Sequence, residues 1–150
     1  MIKQAHTLMD ARHVINLMQH FLNDTSYSQA EDASRDVEHL GRLAFTFINN
    51  GYVWLAFDGE EPVGMLAAVM EPNMWNPKVR QMRELIWYVV PEKRKSTVGG
   101  RLFKQYCLKG EELKQAGKIN VYFTSMMSST QACDLESRGF RCTERTYIKE

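Results

Sequence analysis

The chain has 150 residues, of which 44% are hydrophobic and 25% are charged, and these values are ordinary for one globular domain. Its net charge of +1 lacks the basic footprint of nucleic-acid-binding proteins, so we expect no nucleic acid partner. No apolar run approaches the ~20 residues that span a bilayer, and the first residues lack the apolar core of a signal peptide. We therefore expect a cytoplasmic protein without membrane contact.

Apolar periodicity predicts that the first third of the chain is mostly helical. A short strand over residues 2–6 precedes a helix for which Asp10 is the expected N-cap. A second helix is predicted to run without interruption from Ala30 and to end at Gly51.

The pattern then changes to strands. Residues 52–57 and 62–70 are predicted to form a hairpin around Asp58-Gly59, a dipeptide typical of tight turns. The run RELIWYVV is nearly apolar in its second half, as expected of a central strand with both faces covered. The loop EPNMWNPK before it carries Trp75, which either contacts a substrate or anchors the loop.

Further elements follow: a helix that ends near Gly117, a strand with the sequence INVYFTS and a short helix with the sequence SSTQACDLES. One or two final strands are expected within RCTERTYIKE. The resulting order, β-α-α-β-β-β-α-β-α-β, predicts a single α/β domain over residues 1–150. Its mixed central sheet is expected to be flanked by about four helices.

Three cysteines, Cys107, Cys133 and Cys142, form neither a CxxC pair nor a spacing typical of metal ligands. We therefore expect reduced thiols and no bound metal. His13 and His20 lie two turns apart on a predicted helix, but no third ligand is near them in the sequence, which favours surface histidines.

A cationic, glycine-rich stretch, VVPEKRKSTVGGRLF, joins the apolar strand to the next helix. The first N–H groups of a helix lack helical partners and carry about half a positive charge, and glycine allows a ligand to approach the backbone. The stretch matches neither GxxxxGK[ST] nor GxGxxG. Two interpretations remain open from the residues alone: a pyrophosphate site or a solvated basic turn.

The same stretch resembles the acetyl-CoA-binding segment of the GCN5-related N-acetyltransferases, the GNAT superfamily. Val89 and Pro91 match the end of the family's strand, and Arg94 and Gly99 match its basic-to-glycine motif. Thr97 stands where the family usually has its first glycine, a variant that resembles acetyltransferase-like proteins of tailed phages. The predicted element order also resembles that of the family, as do the segments FDGEEPVGMLAAV and SSTQACDLESRGF. The resemblance therefore covers almost the whole chain.

The resemblance implies acetyl-CoA as cosubstrate. Main-chain groups of Trp87, Tyr88 and Val89 would pair with the pantetheine arm like an added strand. Ser128 stands at the family's usual asparagine and is included among the cofactor-binding residues. The residues assigned to the pyrophosphate are Arg94, Lys95, Ser96, Thr97, Val98, Gly99 and Gly100.

Acetyl transfer to an amine requires removal of a proton, because a protonated amine has no lone pair. Glu84 is the predicted base, and the alternative is that it pairs with Arg83 or Arg80 at the wet end of its strand. Leu135 stands where many relatives carry a tyrosine acid, so Tyr147 is the predicted catalytic substitute.

Two further residues are weaker candidates for the same roles. Tyr122 is a second phenol, and strand packing is the alternative for both tyrosines; Glu71 is a second candidate base. An acid is not strictly required, because the pKa of the coenzyme A thiol lies not far from that of cysteine.

These features predict an acetyl-CoA-dependent N-acetyltransferase that acts by direct attack of an amine on a small molecule or a protein. The alternatives are a catalytically inactive relative that serves as a binding or regulatory module, and a phage structural or interaction protein. If the chain is phage-encoded, the host cytoplasm is the expected location. The sequence leaves a homodimer open.

Overall fold

The structure is a computed structural model that describes residues 1–25, 30–126 and 134–149. Within these ranges one sheet contains the strands β1 Ile2–Gln4, β2 Gly51–Asp58, β3 Glu61–Pro72, β4 Arg80–Val89 and β5 Val121–Phe123. The helices in the same ranges are α1 Leu8–Asn23, α2 Ala30–Arg35, α3 Val37–Asn50 and α4 Val98–Gln115. Two short 3-10 turns cover Pro91–Lys93 and Glu136–Arg138.

The strands lie in the order β1-β2-β3-β4-β5. The first three pairings are antiparallel, and β4 and β5 are parallel. A parallel pair needs a crossover connection, and α4 supplies it. The predicted α/β domain with a mixed sheet is confirmed.

Each face of the sheet buries its own apolar cluster. Met65 and Leu66 are neighbours in β3 and point to opposite faces, because side chains alternate along a strand. Met65 packs with Leu17 of α1 on one face, and Leu66 packs with Phe103 of α4 on the other. All four side chains are fully buried. The sheet is therefore the middle layer: α1 and α3 lie on one face, and α4 lies on the other.

Two glycines permit backbone geometry that a side chain would disturb, one in the β2–β3 turn and one between β3 and β4. Gly59 has a φ of 61° in the turn between β2 and β3, which confirms the hairpin that Asp58-Gly59 predicts. A Cβ on Gly64 would lie 2.9 Å from the Tyr88 carbonyl oxygen, so a side chain there would force β3 away from β4.

The prediction that Asp10 is the N-cap of α1 is wrong. Thr7 is the N-cap, and its Oγ1 accepts a hydrogen bond from the Asp10 N–H (3.1 Å). Asp10 Oδ2 in turn accepts from the N–H groups of Thr7 and His6 (both 2.9 Å). This reciprocal capping box places Asp10 three residues inside the cap. Lys3 Nζ lies 2.6 Å from its Oδ1.

The Asp10 side chain is only 2% exposed, yet its carboxyl is ionised. Although burial alone would raise the pKa of Asp10, donors from His6, Lys3 and Thr7 hold that pKa well below its usual range. A lowered folded pKa stabilises the fold above the unfolded value of ~3.9, and that contribution is lost as the pH falls further.

The single helix predicted from Ala30 to Gly51 is divided. Asp36 interrupts it between α2 and α3 and caps α3, because its Oδ1 accepts a hydrogen bond from the His39 N–H (3.0 Å). A carboxylate that bonds the local backbone competes with helical hydrogen bonds, and the continuous periodicity concealed this break.

The C-terminal segment also differs from the prediction. β5 is shorter than the predicted strand INVYFTS, and residues 141–149 form no strand. Tyr147 and Ile148 are 84% and 65% exposed, so this segment buries no apolar face that would favour a strand. The predicted short helix lies mostly outside the described residues, and its described end is the turn Glu136–Arg138.

No helix in the described part of the chain is long and apolar enough to cross a membrane.

Replacing Asp10 by alanine should lower the free energy of unfolding by ~1–3 kcal/mol, since the cap and the partners of two N–H groups are lost. Urea denaturation at pH 7 measures this change. The control Asp32→Ala removes a carboxylate whose side chain is 92% exposed, and its effect should stay within about 0.5 kcal/mol. Equal effects of the two substitutions would contradict a structural role for Asp10.

Candidate active site

β4 and β5, the last two strands of the sheet, separate partway along β4. The two strands pair only as far as Arg83 and Phe123. β4 then bulges at Leu85, which has no partner in β3, whereas Glu84 and Ile86 on either side are paired. Beyond the bulge, β4 has β3 on one side and, among the described residues, no strand on the other.

This open edge of β4 presents main-chain groups that no strand among the described residues pairs, although the Val89 carbonyl accepts from Arg94 Nε (2.9 Å). The Val90 N–H donates to the Val63 carbonyl on the β3 side (3.0 Å). Because peptide groups alternate along a strand, the main-chain groups of Val89 and Trp87 point to the open side, and those of Tyr88 point to β3. Two of the three residues predicted to pair with an added strand therefore have the required orientation.

The Trp87 side chain connects the open edge to the start of α4. Its indole stacks on Phe103 with ring centroids 4.7 Å apart, and Nε1 donates to the Gly99 carbonyl (3.2 Å). The edge and the helix start therefore form one continuous surface.

The loop between β4 and α4 is held by its own hydrogen bonds. Lys93 Nζ donates to Asp58 Oδ2 (2.5 Å), so this cation is already paired. Ser96 Oγ donates to the Lys93 carbonyl (2.6 Å) and accepts from the Val98 N–H (3.3 Å). Lys95 is exposed and has no partner within the described ranges, which leaves its charge available.

The first turn of α4 is open and rich in donors. Thr97 precedes the helix, and its side chain makes no capping hydrogen bond. In the described residues, the N–H groups of Gly99 and Gly100 have no acceptor. A Cβ on Gly100 would meet nothing within 4 Å, and one on Gly99 would come no closer than 3.6 Å to its neighbours. Packing does not require glycine here, and the space is available to an anionic ligand.

Arg94 and Tyr88 form a cluster with Asp24, the residue that ends α1. Arg94 donates through Nη2 to Asp24 Oδ2 (2.5 Å) and through Nε to the Val89 carbonyl (2.9 Å). The Tyr88 hydroxyl donates to the same Asp24 oxygen (2.9 Å). Burial and the hydrogen bond to Asp24 raise the pKa of Tyr88 to about 12. This cluster, the Asp24 clamp, connects the end of α1 to the loop before α4.

Asp24 is absent from the site residues that the sequence predicts. Its partners are 64 and 70 positions away, and a carboxylate after a helix is common, so no local pattern indicates the clamp. Two of the three guanidinium nitrogens of Arg94 are therefore engaged, Nη2 by Asp24 and Nε by the Val89 carbonyl. A contact between Arg94 and a pyrophosphate stays a prediction.

Glu84 lies at the point where β4 and β5 separate and is 5% exposed. Its Oε2 accepts from the Ser125 N–H (3.0 Å) and the Thr124 hydroxyl (3.3 Å). The alternative that Glu84 pairs with Arg83 or Arg80 is therefore wrong. Oε1 accepts no hydrogen bond from the described residues and remains available.

The surroundings of Glu84 favour its protonated form. Burial raises the pKa of Glu84, and the hydrogen bonds from Ser125 and Thr124 only partly oppose this shift. Tyr106 is nearby and fully buried, and its hydroxyl bonds the main-chain carbonyls of Phe123 and, at 3.4 Å, Met82. Burial also raises the pKa of Tyr106, so this phenol remains neutral.

The other predicted catalytic residues are not brought to this point. Tyr147 is 84% exposed, and its role as an acid stays a prediction. The Tyr122 hydroxyl donates to Glu111 on α4 (2.8 Å), in agreement with the packing alternative. Leu135 packs against the α4-side cluster. Ser128 lies outside the described residues.

The loop between β3 and β4 presents Trp75, which is 88% exposed, so it does not anchor the loop. Asn73 Oδ1 accepts from the N–H groups of Trp75 (2.9 Å) and Asn76 (3.0 Å) and organises the turn. In the described ranges, no three His, Cys, Asp or Glu side chains are placed to hold a metal ion. Cys107 and Cys142 form no disulfide, and Cys133 lies outside these ranges.

The chain, with its open strand edge and unpaired N–H groups at a helix start, is similar to known proteins. A family model described as the acetyltransferase (GNAT) family matches residues 15–140. The chain therefore belongs to the GNAT acetyltransferases, a family of acyltransferases that use acetyl-CoA. No curated protein sequence matches the chain.

Solved structures share the fold at low sequence identity. A GCN5-related N-acetyltransferase from Ralstonia eutropha JMP134 has a TM-score of 0.73 at 15% identity, over 100% of this chain and 97% of that chain. A predicted acetyltransferase with acetyl-CoA from Clostridium acetobutylicum has a TM-score of 0.69 at 14% identity, over 100% and 96%. An aminoglycoside acetyltransferase from an uncultured soil metagenomic sample, in complex with sisomicin, has a TM-score of 0.63 at 15% identity, over 100% and 96%. The predicted GNAT-type fold is confirmed.

Replacing Tyr88 by phenylalanine should lower the free energy of unfolding by ~1 kcal/mol, because the buried part of the Asp24 clamp loses one hydrogen bond. Chemical denaturation at pH 7 measures the effect. The matched control is Tyr52→Phe, since no hydrogen bond of the Tyr52 hydroxyl is found in the described residues, and it should stay within about 0.5 kcal/mol. A neutral Tyr88→Phe variant would show that the clamp contributes nothing to stability.

Proposed function

We propose that the chain transfers an acetyl group from acetyl-CoA to an amine. The observation that carries the proposal is the open edge of β4, which leads directly from the buried carboxylate of Glu84 to the unpaired N–H groups at the start of α4. A pantetheine arm requires an extended donor and acceptor edge, and a pyrophosphate requires helix N-terminal donors. Both are adjacent here.

The residues present fit the cosubstrate. Trp87 would hold the pantetheine amides through its main-chain groups, and Val89 would do so through its N–H, because the Val89 carbonyl accepts from Arg94 Nε. Gly99, Gly100 and Lys95 would hold the pyrophosphate, because their donors have no other partner in the described residues and Gly100 leaves open space. When bound, acetyl-CoA supplies a thioester whose carbonyl carbon forms the new C–N bond as the C–S bond breaks and the thiolate leaves.

Glu84 is the proposed base. The acceptor amine has a pKa of ~10.4 when it resembles lysine, so it arrives protonated and must lose that proton. A carboxyl whose pKa is raised by burial is a stronger base than an exposed one, and Glu84 Oε1 accepts no hydrogen bond from the described residues. Ser125 and Thr124 hold the other oxygen and fix the direction of the carboxylate.

A general acid would protonate the leaving thiolate. Leu135 has no acidic proton, and Tyr147 is proposed in its place. Leu135 is also the observation that favours the second candidate function, a relative that binds acetyl-CoA without catalysis. Turnover of an amine acceptor distinguishes the two functions. A relationship to the acetyltransferase-like proteins of tailed phages, a cytoplasmic location and a homodimer remain predictions.

Acetyl-CoA at about 100 times its dissociation constant should stabilise the protein by ~2.7 kcal/mol and raise the melting temperature by several degrees. Gly100→Glu should abolish this shift, because it fills the open space with a negative charge. The variant should not unfold, since glutamate near a helix start is more favourable than glycine. Thermal unfolding with and without ligand measures both effects.

The control for the added charge is Gln115→Glu, which is exposed at the other end of α4 and should keep the full ligand shift. A ligand shift that survives in Gly100→Glu would place the pyrophosphate elsewhere.

Glu84→Gln should lower kcat by ~10²–10⁴-fold while the variant still binds acetyl-CoA. Glutamine keeps an oxygen for the Ser125 N–H but cannot take a proton. In the wild-type protein, kcat/KM should rise with pH through the raised pKa of Glu84, because only the deprotonated carboxylate is a base. Release of the coenzyme A thiol, measured as a function of pH, gives the profiles of the wild-type protein and of the variant.

The Glu84→Gln variant should lose the rise of kcat/KM with pH. The control Glu60→Gln changes an exposed glutamate in the β2–β3 turn and should retain this rise. An unchanged pH profile in Glu84→Gln would exclude Glu84 as the base.

A further inference from the structure

A tyrosine hydroxyl from α4 reaches the main chain at the point where β4 and β5 separate. Tyr106 is fully buried, and its hydroxyl donates to the Phe123 carbonyl, with the Met82 carbonyl 3.4 Å away. Phe123 pairs with Arg83 at the last matched position of the two strands. The hydroxyl therefore contacts both strands at the end of their paired segment.

The ring of Tyr106 is held in place by aromatic neighbours. Its centroid lies 5.9 Å from that of Phe103, 6.5 Å from that of Trp54 and 5.6 Å from that of Tyr122. One turn further along α4, a Cβ on Gly110 would lie 2.8 Å from the Tyr122 ring, so glycine lets the helix approach β5 closely. Packing thus fixes the position of the hydroxyl before any ligand binds.

Packing alone does not account for the hydroxyl, because a phenylalanine ring would fill the same space. Burying a hydroxyl costs free energy unless it is hydrogen-bonded, and a buried tyrosine normally has a partner for this group. The partner of Tyr106 is a main-chain carbonyl of the last paired residue in β5, Phe123. The hydroxyl therefore connects α4 to the end of this strand.

The chain that follows Phe123 supplies the groups that hold Glu84. The Thr124 hydroxyl and the Ser125 N–H donate to Glu84 Oε2 (3.3 and 3.0 Å). Glu84 and Tyr106 also interact directly. Burial is the main cause that raises the pKa of Tyr106, the charge of Glu84 adds to this shift, and a hydrogen bond from the Glu84 main chain opposes it. The tyrosine is therefore close to the proposed base and to the segment that orients it.

We propose that Tyr106 is a positioning residue for the Glu84 carboxylate. Its hydroxyl holds the end of β5 against β4, and the held main chain directs the Thr124 and Ser125 donors at Glu84 Oε2. The inference rests on the proposed function, in which Glu84 takes a proton from the acceptor amine. Tyr106 itself exchanges no proton with a substrate, because it is fully buried and its hydroxyl donates to a main-chain carbonyl.

The test is Tyr106→Phe, assayed with the amine that the wild-type protein acetylates fastest among lysine, spermidine and a peptide with a free N-terminus. The variant should lower kcat by about 10–100-fold, because a misdirected carboxylate accepts the proton less efficiently. The KM for acetyl-CoA should not change, since the open edge of β4 and the first turn of α4 are intact. Phenylalanine keeps the ring packing, so the melting temperature should fall by only a few degrees.

The pH dependence of the variant separates positioning from a purely structural role. Weaker hydrogen bonds from Ser125 and Thr124 would oppose the effect of burial less, so the pKa of Glu84 should rise further. The rise of kcat/KM with pH should therefore move to higher pH. The other titratable groups that act on Tyr106 are Tyr122 of β5 and Cys107 of α4, and the variant keeps both.

The matched control is Tyr122→Phe. It removes a phenolic hydroxyl from the same aromatic cluster, but this hydroxyl donates to Glu111 on α4 and not to the main chain beside Glu84. It should change neither kcat nor the pH dependence.

A second measurement requires no turnover. Carbon NMR of the side-chain carboxyls follows the titration of Glu84, whose signal is identified as the one that Glu84→Gln removes. This titration should move to higher pH in Tyr106→Phe and stay unchanged in Tyr122→Phe.

The outcomes separate this inference from the proposed function. An unchanged Glu84 titration in Tyr106→Phe would overturn the inference, whatever the change in melting temperature, and so would an unchanged kcat. Equal effects of Tyr106→Phe and Tyr122→Phe would also overturn it. If the wild-type protein acetylates none of the three amines, the acetyltransferase proposal fails on this panel, and the NMR titration alone decides whether Tyr106 positions the carboxylate.

Discussion

The separation of β4 from β5 after three paired residues is the constraint on which the candidate site depends. At this point β4 bulges at Leu85, and the Glu84 carboxylate accepts a hydrogen bond from the Ser125 N–H just after β5. Had the parallel pairing continued, the main-chain groups of Trp87 and Val89 would be occupied by β5. The gap therefore leaves the donors and acceptors that a cosubstrate requires, and it places a buried carboxylate at the closed end of the gap.

Two side-chain clusters fix the walls of this gap. On the α4 face, the stacked rings of Trp87 and Phe103 connect the open edge to the helix whose N–H groups are unpaired. On the other face, the Asp24 clamp joins the end of α1 to the loop before α4. The binding surface thus consists of segments that are held by packing and ion pairs before any ligand arrives. Preorganisation of this kind lowers the cost of ordering on binding.

The polar groups divide into two functions by face. Glu84 is buried and its pKa is raised, which suits proton removal. Glu71 is partly exposed and its pKa is lowered by Gln81 and Arg83, which suits a fixed charge. Two glutamates close to the same strand thereby obtain different chemistry from their surroundings.

Local sequence determined the parts of the structure that depend on neighbouring residues: the Asp58-Gly59 turn, the amphipathic helices and the loop of cations and glycines that precedes α4. It misplaced the cap of α1 and the break at Asp36, where side chains compete for the local backbone. Only the tertiary structure decided that Glu84 meets Ser125, 41 positions away, and that Arg94 meets Asp24, 70 positions away. Periodicity reports which side chains are buried, but the partner of a buried charge is set by how distant elements pack.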